Sequence, residues 1–202
     1  MRLSVRVVGL ALVWLTATPA RASAEWQLKP FLGVTFGGGT TFVDLEDASG
    51  RPNFTVGISA LRLGEVIGVE VDLGDAPGFF QYGDRPLPLV VKSGATTLTG
   101  NLVVTLPRRI AEYTLRPYVA GGAGLMHVRI EDFLRVFNVA TTLPAVDVGG
   151  GLTGFLTKRL GLNWDVRYFR SVGSPDERRS GISIGPEQLS FWRTNMGLAI
   201  RY

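Results

Sequence analysis

The feature that most constrains this chain is an alternation of apolar and polar residues with a period of two, which recurs eight times between Trp26 and Tyr202. Successive side chains of a β-strand point to opposite faces, so this period indicates strands with one apolar and one polar face. The eight segments are 26–36, 54–60, 67–74, 97–106, 115–125, 146–156, 160–168 and 192–202. The sequence therefore predicts an all-β chain of eight strands.

The connections between these segments alternate in length. Short turns are expected around Gly64, over 107–113 and at Lys158-Arg159. Long connections rich in Gly, Pro and charged residues are expected near 38–51, 76–92, 129–142 and 173–186. Short turns on one rim and long loops on the other are typical of an even-numbered antiparallel barrel in an outer membrane. We therefore expect an eight-stranded antiparallel up-and-down transmembrane β-barrel.

The first 24 residues have the pattern of a cleaved export signal. Arg2 and Arg6 precede an unbroken apolar run of nine residues, 7–15, and Ala22-Ser23-Ala24 offers a cleavage site before Glu25. The run is too short for a membrane helix. We therefore expect a secretory signal at 1–24 and a barrel domain at 25–202.

Removal of the signal changes the charge of the chain. The signal takes 3 of the 21 basic residues and none of the 17 acidic ones, which leaves 18 − 17 = +1. A net charge this small gives no reason to expect a nucleic-acid partner.

Charged residues within the predicted strands all fall on the polar face, opposite the aliphatic and aromatic residues. These charged residues are Lys29, Glu70, Asp72, Arg116, Asp147, Asp165, Arg167, Arg193 and Arg201. A soluble carrier barrel would turn the apolar face inward, whereas a membrane barrel turns it outward. Three further features favour the membrane barrel.

The first is a set of aromatic residues near strand ends on the apolar face, as in an interfacial girdle: Trp26, Phe36, Trp164, Tyr168, Trp192 and Tyr202. The second is the glycine on the polar face, which leaves room for large side chains in a narrow interior. The third is the carboxy-terminal run, in which apolar residues alternate up to a final aromatic one: Met196, Leu198, Ile200 and Tyr202. This run resembles the assembly signal of bacterial outer-membrane proteins.

Longer motifs resemble a known family. Residues 116–125, Arg-Pro-Tyr-Val-Ala-Gly-Gly-Ala-Gly-Leu, are similar to the Gly-rich strand of OmpA-like and OmpX-like eight-stranded outer-membrane barrels. Residues 146–169 resemble the hairpin that follows it, and Tyr202 is similar to their final residue. The resemblance implies an architecture and a location in the outer membrane of a Gram-negative type bacterium.

The inward-facing charges are interpreted as an internal salt-bridge network, because buried charges persist only when they are paired and hydrogen-bonded. Glu70 and Asp72 share a face and could in principle serve acid–base chemistry, but the basic residues on the same face favour ion pairing. We call the nine charged strand residues the lumen charge network.

Motifs for catalysis are weak. Gly149 to Gly154 satisfies G-x-G-x-x-G, but the segment continues as a strand and opens no helix. His127 has no partner serine at the spacing that outer-membrane lipid-modifying enzymes use, and Glu131 and Asp132 are expected in a loop. The chain has no cysteine and one histidine, too few for a specific transition-metal site. We expect neither an enzyme nor a cofactor.

The function that we expect is structural or surface-interacting, with a lumen filled by side chains. The expected partners are outer-membrane lipid, lipopolysaccharide and the outer-membrane assembly machinery, and the chain is expected to be a monomer. Three alternatives stay open: a narrow, porin-like pore or carrier for small solutes, a lipid-modifying enzyme that uses His127, and a soluble periplasmic carrier barrel.

Overall fold

The computed structural model describes residues 24–40, 52–79, 90–107, 115–132, 138–172 and 189–202. Within them eight β-strands pair antiparallel in chain order, and the last strand pairs with the first to close a barrel. The strands are β1 Glu25–Thr40, β2 Asn53–Leu63, β3 Ile67–Pro77, β4 Val90–Thr105, β5 Leu115–Asp132, β6 Asn138–Phe155, β7 Leu160–Ser171 and β8 Leu189–Arg201. The predicted eight-stranded up-and-down barrel is confirmed.

The two rims of the barrel differ. The rim where β1 begins and β8 ends, which we call the terminal end, carries the tight turns. Gly64 donates to the Ile67 carbonyl at 2.9 Å, and Leu156 donates to the Leu160 carbonyl at 3.0 Å. We call the opposite rim the distal end. The predicted turn at 107–113 and the predicted signal lie, apart from Pro107 and Ala24, outside the described residues.

The strands extend further towards the distal end than the sequence predicts. The expected loop at 129–142 is wrong, because β5 continues to Asp132 and β6 begins at Asn138 with the two strands in register. Glu131 and Asp132 therefore lie on a strand and not in a loop. The expected loop at 76–92 is shortened at both ends, because β3 ends at Pro77 and β4 begins at Val90. The expected loop at 38–51 is shortened at its start, because β1 continues to Thr40. The expected loop at 173–186 lies outside the described residues.

The two faces of the barrel wall are chemically opposite over most of its height. The outer face exposes aliphatic side chains from all eight strands, among them Val71, Leu102 and Val119 at 55–62% exposure. The inner face buries polar and charged side chains, among them Lys29 and Arg167 at 2% or less. An apolar exterior around a polar interior is the pattern of barrels that stand in lipid.

The predicted girdle and assembly signal all lie on the outer face. Trp26, Phe36, Trp192 and Tyr202 are exposed near strand ends, and the Tyr168 and Trp192 rings are 5.1 Å apart. Trp164 lies as far from the start of β7 as Phe36 lies from the end of β1, and it is in register with Leu152 and Met196. The carboxy-terminal set also faces outward: Met196 63%, Leu198 45% and Tyr202 81% exposed, with Ile200 half-buried.

The interior has three layers. Near the terminal end lies a small cluster of Leu61, Leu63, Val103, Tyr118 and Ala120. The middle layer holds most of the charged side chains. Near the distal end lies an apolar cluster, which we call the distal plug: Ala76, Phe79, Ala95, Met126, Val128, Ala145, Phe169, Leu189 and Phe191. Inward-facing positions are thus polar in the middle and apolar at the distal end. The reversal explains why a polar-inward pattern failed to predict the full length of β5 and β6.

Candidate functional site

The structure places all nine residues of the lumen charge network on the inner face of the barrel. Eight are buried at 5% exposure or less, and the Arg201 side chain at the terminal rim is 25% exposed. They come from β1, β3, β5, β6, β7 and β8, so that residues far apart in sequence meet in one small volume. This cluster of buried charged side chains is therefore the candidate functional site.

Glu70 on β3 lies at the centre of the network. Its Oε2 accepts from the Lys29 ammonium on β1, and its Oε1 accepts from Arg167 Nη2 on β7 at 2.5 Å. Both carboxylate oxygens therefore face a cation, and the Glu70 side chain has no exposed surface. The Lys29 ammonium also lies over the Tyr118 ring, 5.1 Å from its centroid. A carboxylate held in this way joins β3 to β1 and β7, neither of which pairs with it in the sheet.

Arg167 contacts three carboxylates. Besides Glu70, its Nε donates to Asp165 Oδ1 at 2.8 Å, and its Nη1 lies 3.6 Å from Asp147 Oδ2. Asn101 lies between two members of this group. The amide orientation that satisfies both puts its nitrogen 2.8 Å from Asp147 Oδ1 and its oxygen 2.7 Å from Arg167 Nη1. Arg167 is the hub of the network, because its planar fork can hold several acceptors at once.

A second ion pair lies beside the first. Arg193 Nη2 donates to Asp72 Oδ1 at 2.7 Å, and Ser59 Oγ donates to Asp72 Oδ2 at 3.0 Å. The Arg193 guanidinium is stacked between two rings, with centroids 4.7 Å away for Phe31 and 4.6 Å away for Phe169. Stacking of this kind adds cation–π attraction to the ion pair and fixes the plane of the guanidinium.

The remaining two predicted cations lie near the terminal end. Arg201 pairs with Glu25 and lies over the Phe155 ring. Arg116 instead donates to two backbone carbonyl groups, those of Glu65 at 2.9 Å and Leu106 at 3.4 Å. Arg116 therefore ties its strand to the neighbouring turn, a contact that the sequence did not indicate.

Several residues of the network were not singled out from the sequence. Glu25 supplies the partner of Arg201, and Tyr118 Oη donates to Asp165 Oδ2 at 2.7 Å. Asn195 Nδ2 also donates to Asp165, at 3.3 Å, while Asn101 bridges Asp147 and Arg167 as described above. All of these share the inward parity of the charged residues, which is the signal that could have identified them.

Glycine makes room for these large side chains. A Cβ atom added at Gly149 would lie 2.2 Å from the Val166 carbonyl oxygen and 2.7 Å from both Cα and Cγ of Arg167, all of which are closer than real Cβ atoms approach. The predicted association of lumen glycine with bulky charged neighbours therefore has a direct steric basis at this position.

The lumen charges balance. Five cationic side chains (Lys29, Arg116, Arg167, Arg193 and Arg201) face five anionic ones (Glu25, Glu70, Asp72, Asp147 and Asp165) among the inward-facing side chains that the structure describes. In a low-dielectric interior an unpaired charge is very unfavourable, so a balanced set with direct contacts is the arrangement that can persist there. The arrangement immobilises its members and leaves neither Glu70 nor Asp72 with a carboxylate oxygen open for acid–base work.

The other sequence motifs lie away from this network. His127 lies on β5, its Nδ1 is 2.8 Å from Thr142 Oγ1, and its Nε2 accepts from Arg129 Nε at 3.3 Å. Gly149 to Gly154 continue within β6. No group of three or more potential metal ligands occurs in the ranges that the structure covers, and no helix within them is long and apolar enough to cross a membrane.

Solved structures with the same architecture are outer-membrane barrels. Neisserial surface protein A matches with a TM-score of 0.62 at 11% identity, over 88% of this chain and 97% of that one. The outer membrane protein OprG from Pseudomonas aeruginosa matches with a TM-score of 0.58 at 14% identity, over 90% and 97%. The amino-terminal barrel domain of Pseudomonas aeruginosa OprF matches with a TM-score of 0.54 at 15% identity, over 90% and 100%.

No protein-family model and no curated protein sequence matches the chain. The resemblance to the small OmpA-like and OmpX-like barrels is confirmed for the fold. Sequence identities below 20% can accompany a shared fold, but they leave the activity open.

Proposed function

We propose that this chain is an integral outer-membrane protein whose barrel is a closed structural unit with a surface-interaction role, not an enzyme and not a porin-like pore. The observation that carries the proposal is an interior filled by buried side chains: the apolar distal plug at one end and, below it, the lumen charge network, which together with Glu25 has five cationic and five anionic side chains. The central members of this network, Glu70 and Arg167, have side chains that are 2% exposed or less. Eight-stranded barrels have interiors just wide enough to be filled by side chains.

The chemistry of the wall supports the membrane location. Aliphatic side chains face outward on every strand, and aromatic ones stand near both rims, where tryptophan and tyrosine favour the lipid interface. The proposed partners of the wall are outer-membrane lipid and lipopolysaccharide. Export by the signal at 1–24 and delivery to the outer-membrane assembly machinery by the carboxy-terminal run belong to the same proposal.

The inner cavity gives little support to a carrier role. The pocket at the terminal end, between Gln27, Leu63, Arg116 and Tyr118, is large enough for about one water molecule. Solute carriers need pockets of several hundred Å³. The alternative of a narrow pore or carrier therefore has less support than the closed barrel. The enzyme alternative has less support because His127 does not line this pocket and its hydrogen-bond partners in the described part of the chain are Thr142 and Arg129.

The proposal is tested with the purified protein in two measurements. Heating should shift its gel migration, because a closed barrel unfolds only on boiling. Planar bilayers that contain the protein should show no stable conductance steps, while a general porin in the same lipid serves as the positive control.

Two results would contradict the proposal. Extraction from cells without detergent would exclude a membrane barrel. Large, persistent conductance steps from the unmodified protein would exclude a closed lumen. Unchanged lipid A masses from cells with and without the protein are expected, since the proposal includes no lipid chemistry.

A further inference from the structure

The distal plug is a buried apolar layer that lies beyond the charges. Its nine side chains are each 3% exposed or less, and Phe79, Met126, Val128, Phe169 and Leu189 have no exposed surface. Its three aromatic rings contact one another: Phe79 and Phe191 meet edge to face at 5.1 Å, and Phe169 and Phe191 stack at 5.3 Å. Strands β3 to β8 contribute to the layer, and the contact of Phe79, which follows β3, with Phe191 on β8 spans the side on which β1 and β2 contribute no member.

Phe79 differs from the other members because it follows a strand instead of lying within one. β3 ends at Pro77, and Gly78 then takes a positive φ of 77°, a conformation that suits glycine and turns the chain. The turn is held at two points. Gly78 N donates to the Ser93 carbonyl at 2.7 Å, and Asn53 Nδ2 donates to the Phe79 carbonyl at 3.1 Å. The result is a phenylalanine ring inserted into the mouth of the barrel.

The terminal end is lined differently. Its pocket includes polar side chains, among them Gln27, Thr105, Arg116 and Thr153, and it has room for about one water molecule. The lumen is therefore asymmetric: the terminal end has a mixed lining, in which these polar side chains lie beside Leu61, Leu63 and Val103, and the distal end has an aromatic layer.

Ions and water respond differently to these two linings. A constriction of apolar side chains excludes ions by losing its water, since it offers no group that replaces a hydration shell. The lumen charge network, in contrast, carries donors and acceptors that can replace part of the hydration shell of an ion. The nine side chains of the distal plug carry no charge, hydroxyl or amide group, so the plug is the stronger obstacle.

We infer that the distal plug, and not the lumen charge network, is the permeability barrier of this barrel, with Phe79 and Phe191 as its principal residues. The inference rests on the proposed closed barrel and adds where the closure lies and what chemistry provides it. Small hydrated ions are the class of solute that it excludes. The charges beneath it stabilise the barrel and are not what prevents conduction.

The test compares four proteins in planar bilayers: the unmodified chain, the double variant Phe79→Ala/Phe191→Ala, the charge variant Glu70→Gln and the control Phe54→Ala. Phe54 is matched chemically but lies on the outer face at 54% exposure. Conductance in potassium chloride is expected only for the double variant. Gel migration with and without heating verifies that each protein is folded.

A second measurement covers the case in which the double variant does not fold. The chain has no cysteine, so Ala95→Cys places a single thiol in the plug. In proteoliposomes a charged, membrane-impermeant thiol reagent added at the distal side should leave this thiol unmodified. Adding Phe79→Ala alone should make it react.

Each outcome decides between the possibilities. A folded double variant as tight as the unmodified chain, or a thiol that stays protected when Phe79→Ala is added, overturns the inference while the closed barrel stands. Conductance of Glu70→Gln alone assigns the barrier to the charges and also overturns it. Conductance of the unmodified chain would instead refute the proposed function itself.

Discussion

Replacement of Glu70 by glutamine should destabilise the barrel strongly, although it exchanges only one carboxylate oxygen for an amide nitrogen and so removes the negative charge. The Glu70 side chain is fully buried, with one oxygen on Lys29 and the other 2.5 Å from Arg167. Arg167 keeps Asp165 at 2.8 Å, so it remains paired, whereas Lys29 loses the one carboxylate that it contacts among the described residues. Breaking a buried pair in this way costs about 3–5 kcal/mol, because an ion is left without its counter-ion.

A double variant separates the charge effect from packing. In Lys29→Met/Glu70→Gln no cation is left unpaired, so the free energy of unfolding should recover by about 1–3 kcal/mol relative to Glu70→Gln. Asp75→Asn is the matched control on the same strand, because Asp75 faces outward and is exposed. Its effect should stay within about 0.5 kcal/mol.

The assay is reversible urea unfolding in phospholipid vesicles, followed by tryptophan fluorescence. Trp26, Trp164 and Trp192 all face outward, so their emission reports transfer from lipid to water. If Glu70→Gln proved as stable as the unmodified chain, or if the double variant were less stable than Glu70→Gln, the lumen charges would not act as a paired network. The interpretation that these charges stabilise the barrel would then be wrong, while the barrier assigned to the distal plug would be unaffected.

Three further predictions concern space, lipid and assembly. Gly149→Ala should lower the free energy of unfolding by about 1–3 kcal/mol through overpacking against the Val166 carbonyl group and Arg167. Gly121→Ala, whose added Cβ would have its nearest neighbour at 3.6 Å, should change it little; equal effects in urea titrations would remove the steric explanation. Val166→Arg, on the outer face near the middle of β7, should lower the free energy of unfolding in vesicles by about 2–4 kcal/mol. Val172→Arg at the distal rim should lower it by about 0–1 kcal/mol; the reverse order would mean that the bilayer midplane does not lie near Val166. Tyr202→Asp should reduce the heat-modifiable barrel recovered from cells but not the refolding yield in detergent, because the Tyr202 ring is 81% exposed and packs against little of the protein; normal recovery from cells would contradict a role in assembly.

The fold was predictable because lipid imposes a simple rule on the strands. Outward positions at mid-height are apolar with few exceptions, such as Thr194, so the period of two is visible along the strands. Segments such as 160–168 show it without interruption, and the charged residues on the opposite parity all proved to face the lumen. The number of strands and their order followed from the same pattern.

The distal third was not predictable by that rule. There the inner face carries Met126, Val128 and Ala145, while the outer face carries Arg129 and Thr142, so the polar and apolar parities exchange. The strand pairing continues, because backbone hydrogen bonds and not side-chain polarity hold it. A chain that reads as a loop at 129–142 is therefore mostly sheet.

Which side chains contact one another within the lumen could also not be predicted from the sequence. Parity shows that a residue faces inward, but it does not show which strand lies across the barrel. The contact of Glu70 with Arg167 and the stacking of Arg193 between Phe31 and Phe169 depend on the register of the closed sheet. The position of Phe79 depends on a single turn at Gly78, which composition does not distinguish from any other glycine.

The long sequence separations within the lumen charge network set the order in which this barrel can insert. Glu70 and Arg167 are 97 residues apart, Asp72 and Arg193 are 121 apart, and Glu25 and Arg201 are 176 apart. A half-formed sheet would therefore carry ions into hydrocarbon without their counterparts, which is a high-energy intermediate. Insertion of one strand at a time is thus disfavoured. The sheet is expected to curl so that β1 approaches β8 while the polar face is still in contact with water. Insertion and closure become one cooperative event, and detachment of β1 or β8 should unfold the whole barrel in one step.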